Sequence, residues 1–145
     1  MAIHFYCQQV KNPIPKRRLW KSWIKETIQA EEKKLGNISY IFCSDEDLLE
    51  INQEFLQHNT YTDIITFDYS DENFISGEIY VSIERVNENA SAFQVTFEQE
   101  LARVVIHGVL HLCGYKDKKK EDLQTMRRKE EIYRSNLNLI SNPLK

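Results

Sequence analysis

The chain is poor in the residues that mark secreted, membrane or linker-rich proteins. Its 145 residues include only three cysteines, three prolines and four glycines. An odd, scattered set of cysteines at Cys7, Cys43 and Cys113 predicts reduced thiols rather than a disulfide framework. No apolar run approaches the roughly 18 residues of a membrane span, and no charged segment precedes an apolar stretch at the N-terminus. These absences predict an unexported, cytoplasmic protein that does not associate with a membrane.

The segments that are present predict one α+β domain over residues 1–145, because no flexible linker divides the chain. Alternating and β-branched runs predict strands at 3–8, 37–43, 62–69 and 77–83. Apolar residues at helical spacing predict helices at 16–34 (ending near Gly36), from Ser44, near 84–93, at 97–112 and at 120–136, with a loose tail from 138 to 145. We therefore expect a single mixed β-sheet of about four strands packed with about five helices.

Histidine is also scarce, yet two of the four histidines lie four residues apart in His107-Gly-Val-Leu-His111-Leu-Cys-Gly114-Tyr-Lys-Asp117. In a helix this spacing stacks both imidazoles on one face. Gly114 predicts the helix end and Asp117 follows on the returning loop, so three ligands could hold an ion and leave one position open to water. Such a pair can also be a satisfied polar feature of a core. Gly108 replaces the glutamate of a His-Glu-x-x-His metalloprotease, which disfavours a protease.

The net charge of −3 is not typical of a nucleic-acid-binding domain, but the basic residues are unevenly distributed. One cluster comprises Lys11, Lys16, Arg17, Arg18, Lys21 and Lys25. A second comprises Lys116, Lys118, Lys119, Lys120, Arg127, Arg128 and Lys129. Lysines around a metal cleft would attract a phosphate backbone. The second cluster is equally consistent with an ordinary solvated helix face that also carries Glu121, Asp122, Glu130 and Glu131.

The histidine motif resembles the signature of the YbeY family, His-Gly-x-Leu-His-Leu-x-Gly-Tyr-Asp-His. Two further segments resemble that family in the same order, namely Asn52 followed by Thr62-Asp-Ile-Ile-Thr-Phe67, and Gly77-Glu-Ile79. The resemblance implies a metal-dependent, single-strand-specific endoribonuclease that acts in rRNA maturation and ribosome quality control. Its implied partners are single-stranded RNA, rRNA and the ribosome.

Two positions depart from the family pattern. The family's third histidine falls at Asp117, so the implied ligand set is His107, His111 and Asp117. Zinc remains the expected ion, but a carboxylate ligand makes Mn²⁺ or Fe²⁺ more competitive. The bound ion would activate water or polarise the phosphate. Leu56 falls where the family places an arginine.

Because that arginine is missing, we expect either that Arg103, Lys116 or Lys118 stabilises charge on the phosphate, or that the activity is weaker than is typical of the family. Asp63 is predicted either to orient a ligand histidine or to cap the start of a strand. His58 could face the cleft or lie on the surface.

Two other functions fit parts of the sequence. The missing arginine is compatible with a ribosome-associated RNA-binding protein whose metal is structural. Two histidines and a carboxylate also form the facial triad of non-haem Fe(II) oxygenases. A nuclease assay with chelator and metal add-back separates the hydrolase from the first alternative, and oxygen-dependent turnover would indicate the second.

Overall fold

The structure, a computed structural model, describes residues 1–56 and 62–141, with side chains up to residue 137. Its elements in chain order are β1 (Ala2–Cys7), α1 (Arg17–Ala30), β2 (Leu35–Cys43), α2 (Asp45–Leu56), β3 (Ile64–Asp68), β4 (Ile75–Ser82), α3 (Ile83–Ala92), α4 (Phe97–Leu112) and α5 (Lys120–Ser141). The predicted α+β class, with one mixed sheet and five helices, is confirmed for this part of the chain. His58 and the end of the predicted loose tail lie outside the described residues. No helix in the described ranges is long and apolar enough to cross a bilayer.

The four strands are ordered β1-β2-β4-β3. β1 pairs in parallel with β2, to which α1 connects it, and β2 pairs in parallel with β4 after a connection that contains α2 and β3. β3 and β4 form an antiparallel hairpin. In the hairpin turn the Asp71 carboxylate accepts hydrogen bonds from the backbone amides of Asn73 and Phe74. The hairpin brings the residues just before β3 beside α4.

Helix α4 is the centre of the molecule, and its predicted bounds are confirmed. Thr96 and Gln99 form the expected capping box, in which each side chain binds the other residue's backbone amide. Most residues of α4 are buried between the sheet and α5, in one large apolar cluster that includes both tryptophans of α1. The polar residues of α4 are three in its first turn, Glu98, Gln99 and Glu100, followed by Arg103, His107 and His111.

Two helix ends were predicted wrongly. α5 continues to Ser141, past the predicted end near 136 and into the predicted loose tail. α1 ends at Ala30 rather than near Gly36, since the chain turns through Glu32 at φ 59° and Gly36 already belongs to β2. At Gly36 a Cβ would meet the Ile75 carbonyl oxygen at 2.8 Å, so this glycine permits close strand pairing instead of ending a helix.

Candidate metal centre

The two histidines of the motif lie on the last turns of α4, where the core meets a cleft. His107 is 8% exposed and His111 is partly exposed. Gly108, between the two histidines, faces the sheet, because a Cβ at this position would meet Ile79 side-chain atoms at 2.9 Å. A glutamate at position 108 would consequently face the sheet rather than the cleft.

The turn after α4 returns the chain to the histidines. Gly114 has a φ of 107° and its amide donates to the His111 carbonyl, while the Tyr115 amide donates to the Leu110 carbonyl. These two hydrogen bonds form a Schellman motif, which confirms the predicted glycine stop. Asp117 is thereby placed beside both imidazoles.

The side chains of His107, His111 and Asp117 form a compact triangle of possible ligands. The two Nε2 atoms are 2.9 Å apart, and Asp117 Oδ2 lies 3.2 Å from His107 Nε2 and 3.3 Å from His111 Nε2. Zinc bonds of about 2.0–2.1 Å in tetrahedral geometry require ligand atoms about 3.3 Å apart. The triangle therefore fits a small divalent ion, and the donor set of two nitrogens and one oxygen suits zinc as well as harder ions.

Both imidazoles are oriented through their other ring nitrogen. His107 Nδ1 lies 2.6 Å from Glu130 Oε2, and His111 Nδ1 lies 3.0 Å from the Tyr115 carbonyl oxygen. A proton on each Nδ1 satisfies these acceptors and leaves both Nε2 lone pairs directed at the triangle. This is the outer-shell arrangement that fixes tautomers in metal sites.

Glu130, on α5, belongs to this candidate site but was not predicted from the sequence as a site residue. Its side chain is only 2% exposed, so it does not belong to a solvated helix face. Burial raises the pKa of Glu130, but the hydrogen bond from His107 and the charges around it lower the pKa overall. A signal was present, because Glu130 continues the buried helical spacing of Met126, Tyr133 and Leu137.

Arg103, a predicted charge stabiliser, is surrounded by carboxylates. Its guanidinium lies 2.7 Å from Glu100, 3.3 Å from Glu130 and 3.4 Å from Asp63. Burial lowers the pKa of Arg103, but these three carboxylates raise it well above its ordinary value. The Asp63 carboxylate binds Arg103 and lies 3.5 Å from the Asn89 side-chain amide. The carboxylate that contacts His107 is that of Glu130 instead.

The triangle lies in an open cleft of about 900 Å³. Its lining includes three basic residues outside α4, namely Lys116 and Lys118 of the loop and Arg127 of α5. It also includes Asn52 and Leu56 of α2 together with residues 62–66 and 68. Lys116 and Lys118 thus lie at the cleft, together with Arg127 of the second basic cluster.

The comparisons with known proteins agree with this geometry. The family described as endoribonuclease YbeY matches residues 4–138. Proteins described as endoribonuclease YbeY include one from Parabacteroides distasonis, 46% identical over 130 residues (90% of this chain and 92% of that protein), and one from Flavobacterium psychrophilum, 58% identical over 110 residues (76% and 79%). A solution structure of a Thermotoga maritima protein matches with a TM-score of 0.68 and 32% identity, covering 97% of this chain and 93% of that one. The chain therefore belongs to the endoribonuclease YbeY family.

Proposed function

We propose that residues 1–145 act as a single metal-dependent endoribonuclease domain that cleaves single-stranded RNA in rRNA maturation and ribosome quality control. The observation that carries this proposal is the His107, His111 and Asp117 triangle in a cleft whose lining includes basic residues. Family membership supports the reaction class. We place the activity in the cytoplasm and in association with the ribosome, where such a substrate is found.

The residues around the triangle prepare it for a divalent ion, which we propose is zinc, with Mn²⁺ or Fe²⁺ as competitors because Asp117 supplies oxygen. When bound, such an ion activates water or polarises a phosphoryl oxygen. Glu130 keeps His107 in the tautomer that presents Nε2, and its negative charge makes that nitrogen more basic. The Tyr115 carbonyl does the same for His111 without adding charge.

The cleft offers different surfaces to the two parts of a nucleotide. Lys116, Lys118 and Arg127 supply cationic groups suited to phosphate oxygens, whereas the exposed side chain of Leu56 offers an apolar surface suited to a base. A base that has left its stack can occupy the apolar surface while its phosphate faces the cationic groups. This division favours single-stranded over duplex RNA.

Among the basic residues at the cleft, we propose that Lys116, Lys118 and Arg127 contact phosphate and that Arg103 organises the site. Lys116 and Lys118 are exposed, and Arg127 is about half exposed, with a side-chain fraction of 51%. Arg103 is 19% exposed and already neutralised by three carboxylates. Its positive charge is better placed to hold Glu130 against His107 than to reach a phosphate.

The test is a comparison of His111→Ala with His4→Ala, which removes an exposed histidine from β1. We expect the His111 variant to lose metal retention, measured by elemental analysis, and cleavage of single-stranded RNA. The β1 variant should keep both. Full cleavage by metal-free His111→Ala protein would contradict the proposal.

A second candidate, an RNA-binding protein with a structural metal, is favoured by one observation. Leu56 lies at the cleft where the family pattern has an arginine, so one source of phosphate stabilisation is replaced by an apolar side chain. RNA binding without cleavage, after chelation and add-back of zinc, manganese or iron, would establish this candidate. Metal-restored cleavage would exclude it.

A further inference from the structure

Charge is strongly segregated along the chain. The first 25 residues contain six lysines and arginines and no aspartate or glutamate, whereas the remaining 120 residues contain 13 basic and 22 acidic residues. The six are Lys11, Lys16, Arg17, Arg18, Lys21 and Lys25, which we name the α1 basic surface. A protein with a net charge of −3 therefore carries one purely cationic region.

The side chains of this surface are available to a partner. Five of the six are exposed, and Lys21 is partly exposed with its ammonium 5.8 Å above the Phe5 ring. Within the described residues, none has a carboxylate within 4.0 Å, whereas Arg85, Lys129 and Arg134 each form such an ion pair. The positive charge of the α1 basic surface is thus not neutralised by described acidic neighbours.

Helix α1 holds four of the six charges in a fixed arrangement. Arg17, Lys21 and Lys25 follow at four-residue spacing along one side of the helix, with Arg18 beside them. Trp20 and Trp23 are buried on another side and hold the helix against the core. The stripe from position 17 to position 25 is about 12 Å long, which is longer than one nucleotide step of a single strand. It can therefore face more than one phosphate, and no acidic residue lies in the first turn of α1 to oppose them.

We propose that the α1 basic surface binds the phosphodiester backbone of RNA outside the cleft. The choice of RNA rests on the proposed function, because the same chain would then hold the strand it cleaves. α1 also leads toward the cleft: Glu31, about 9 Å along the helix axis beyond Lys25, accepts a hydrogen bond from Tyr115, which lines the cleft. A long strand can contact both surfaces, and a short one cannot.

The experiment compares two variants that both change the net charge from −3 to −7. The test variant neutralises four residues of the surface: Arg17→Gln, Arg18→Gln, Lys21→Gln and Lys25→Gln. The control adds four acids at exposed positions elsewhere: Asn87→Asp, Ser91→Asp, Gln124→Glu and Asn136→Asp. Affinities for a long single-stranded RNA and for a short oligonucleotide that fits within the cleft are measured in EDTA at several salt concentrations.

For the test variant we expect the ratio of long-RNA to short-RNA affinity to fall by about tenfold or more, and the salt dependence of long-RNA binding to decrease by about 2 to 3 in log–log slope. The control should keep the wild-type ratio. An unchanged ratio in the test variant, or an equal fall in both variants, would overturn the proposal. Binding of both variants to vesicles containing phosphatidylserine is measured as well. If the test variant lost vesicle binding but kept RNA binding, the proposal would also be overturned, since the surface would then bind a membrane. Because binding is measured without cleavage, an inactive wild-type protein would refute the proposed nuclease function without deciding this proposal.

Discussion

The two histidines of the candidate metal site lie on the same face of α4, but different parts of the molecule hold them. His107 is fixed by Glu130, a buried carboxylate of α5 that also binds Arg103 and Arg127. His111 is fixed by the neutral carbonyl of Tyr115 in the turn after α4. We call His107 and Glu130 the α4–α5 side of the site, and His111, Tyr115 and Asp117 its turn side. The α4–α5 side contributes charge and rigidity, whereas the turn side contributes a backbone acceptor and the partly exposed Asp117. We infer that metal affinity depends mainly on the α4–α5 side and that the preference for one metal over another depends mainly on the turn side.

The largest effect is expected on the α4–α5 side. Glu130→Gln removes the negative charge beside His107 and leaves Arg103 with two carboxylates instead of three. Outer-shell changes of this kind weaken metal binding by about 10- to 100-fold. The affinity is measured by titration against a competing chelator. Glu131→Gln, which removes the exposed partner of Arg134, is the matched control and should bind metal as the wild type does. Equal metal affinities in Glu130→Gln and Glu131→Gln would contradict the inference that metal affinity depends mainly on the α4–α5 side.

A second test compares the reasons why Gly108 and Gly114 are required in the motif. In Gly108→Ala the new Cβ would meet two Ile79 atoms at 2.9 Å, so we expect overpacking to lower the free energy of unfolding by about 1–3 kcal/mol. Gly114→Ala has open space around it but a φ of 107°, so its cost of about 1–2 kcal/mol comes from the backbone. Chemical denaturation measures both values.

Adding Ile79→Val distinguishes these two causes. Removing one methyl group from Ile79 should restore part of the stability lost in Gly108→Ala, because the clash is with that side chain. The same addition should give no rescue in Gly114→Ala. Equal rescue of both glycine variants would show that the contact with Ile79 is not what requires Gly108.

A smaller effect is expected on the turn side. Asp117→His exchanges the carboxylate for the imidazole of the family pattern, and the partly exposed loop leaves room for it. Because nitrogen ligands favour zinc more than manganese, we expect the ratio of zinc to manganese affinity to rise on the order of tenfold. Asp122→His, on α5, controls for adding a surface histidine. A ratio that stays at the wild-type value would indicate that Asp117 does not set metal preference.

The features of the fold and the candidate site that could be predicted from the sequence are those formed by residues close together in the chain. The capping box at Thr96 and the turn at Gly114 are formed by neighbours in sequence, and both were predicted correctly. The contact of Glu130 with His107 joins residues 23 positions apart on two helices, so it depends on how those helices pack. Gly36 shows the converse: a glycine that resembled a helix stop serves strand pairing. Its role depends on β4, which follows 39 positions later.

The smallest predicted effect concerns Glu31, which supports the turn side from α1. The carboxylate of Glu31 accepts hydrogen bonds from Tyr115, Tyr133 and Lys129. Burial raises the pKa of Glu31, but these donors lower it overall from its ordinary value near 4.5. A lowered pKa in the folded state means that the ionised group stabilises the fold above about pH 4.5, and that this contribution is lost as the pH falls through the folded-state pKa.

Glu31→Gln should therefore be less stable than the wild type by about 1 kcal/mol near neutral pH. The difference should shrink as the solution is acidified below the ordinary pKa, because the wild-type carboxylate is then protonated as well. Thermal melts from neutral pH to below the ordinary pKa measure the difference in stability between Glu31→Gln and the wild type. Glu26→Gln, which changes an exposed residue of α1, is the control. A difference that is constant with pH would mean that Glu31 acts through packing alone. Tyr115 would then be held at the cleft by its ring contacts with the core rather than by the charge of Glu31.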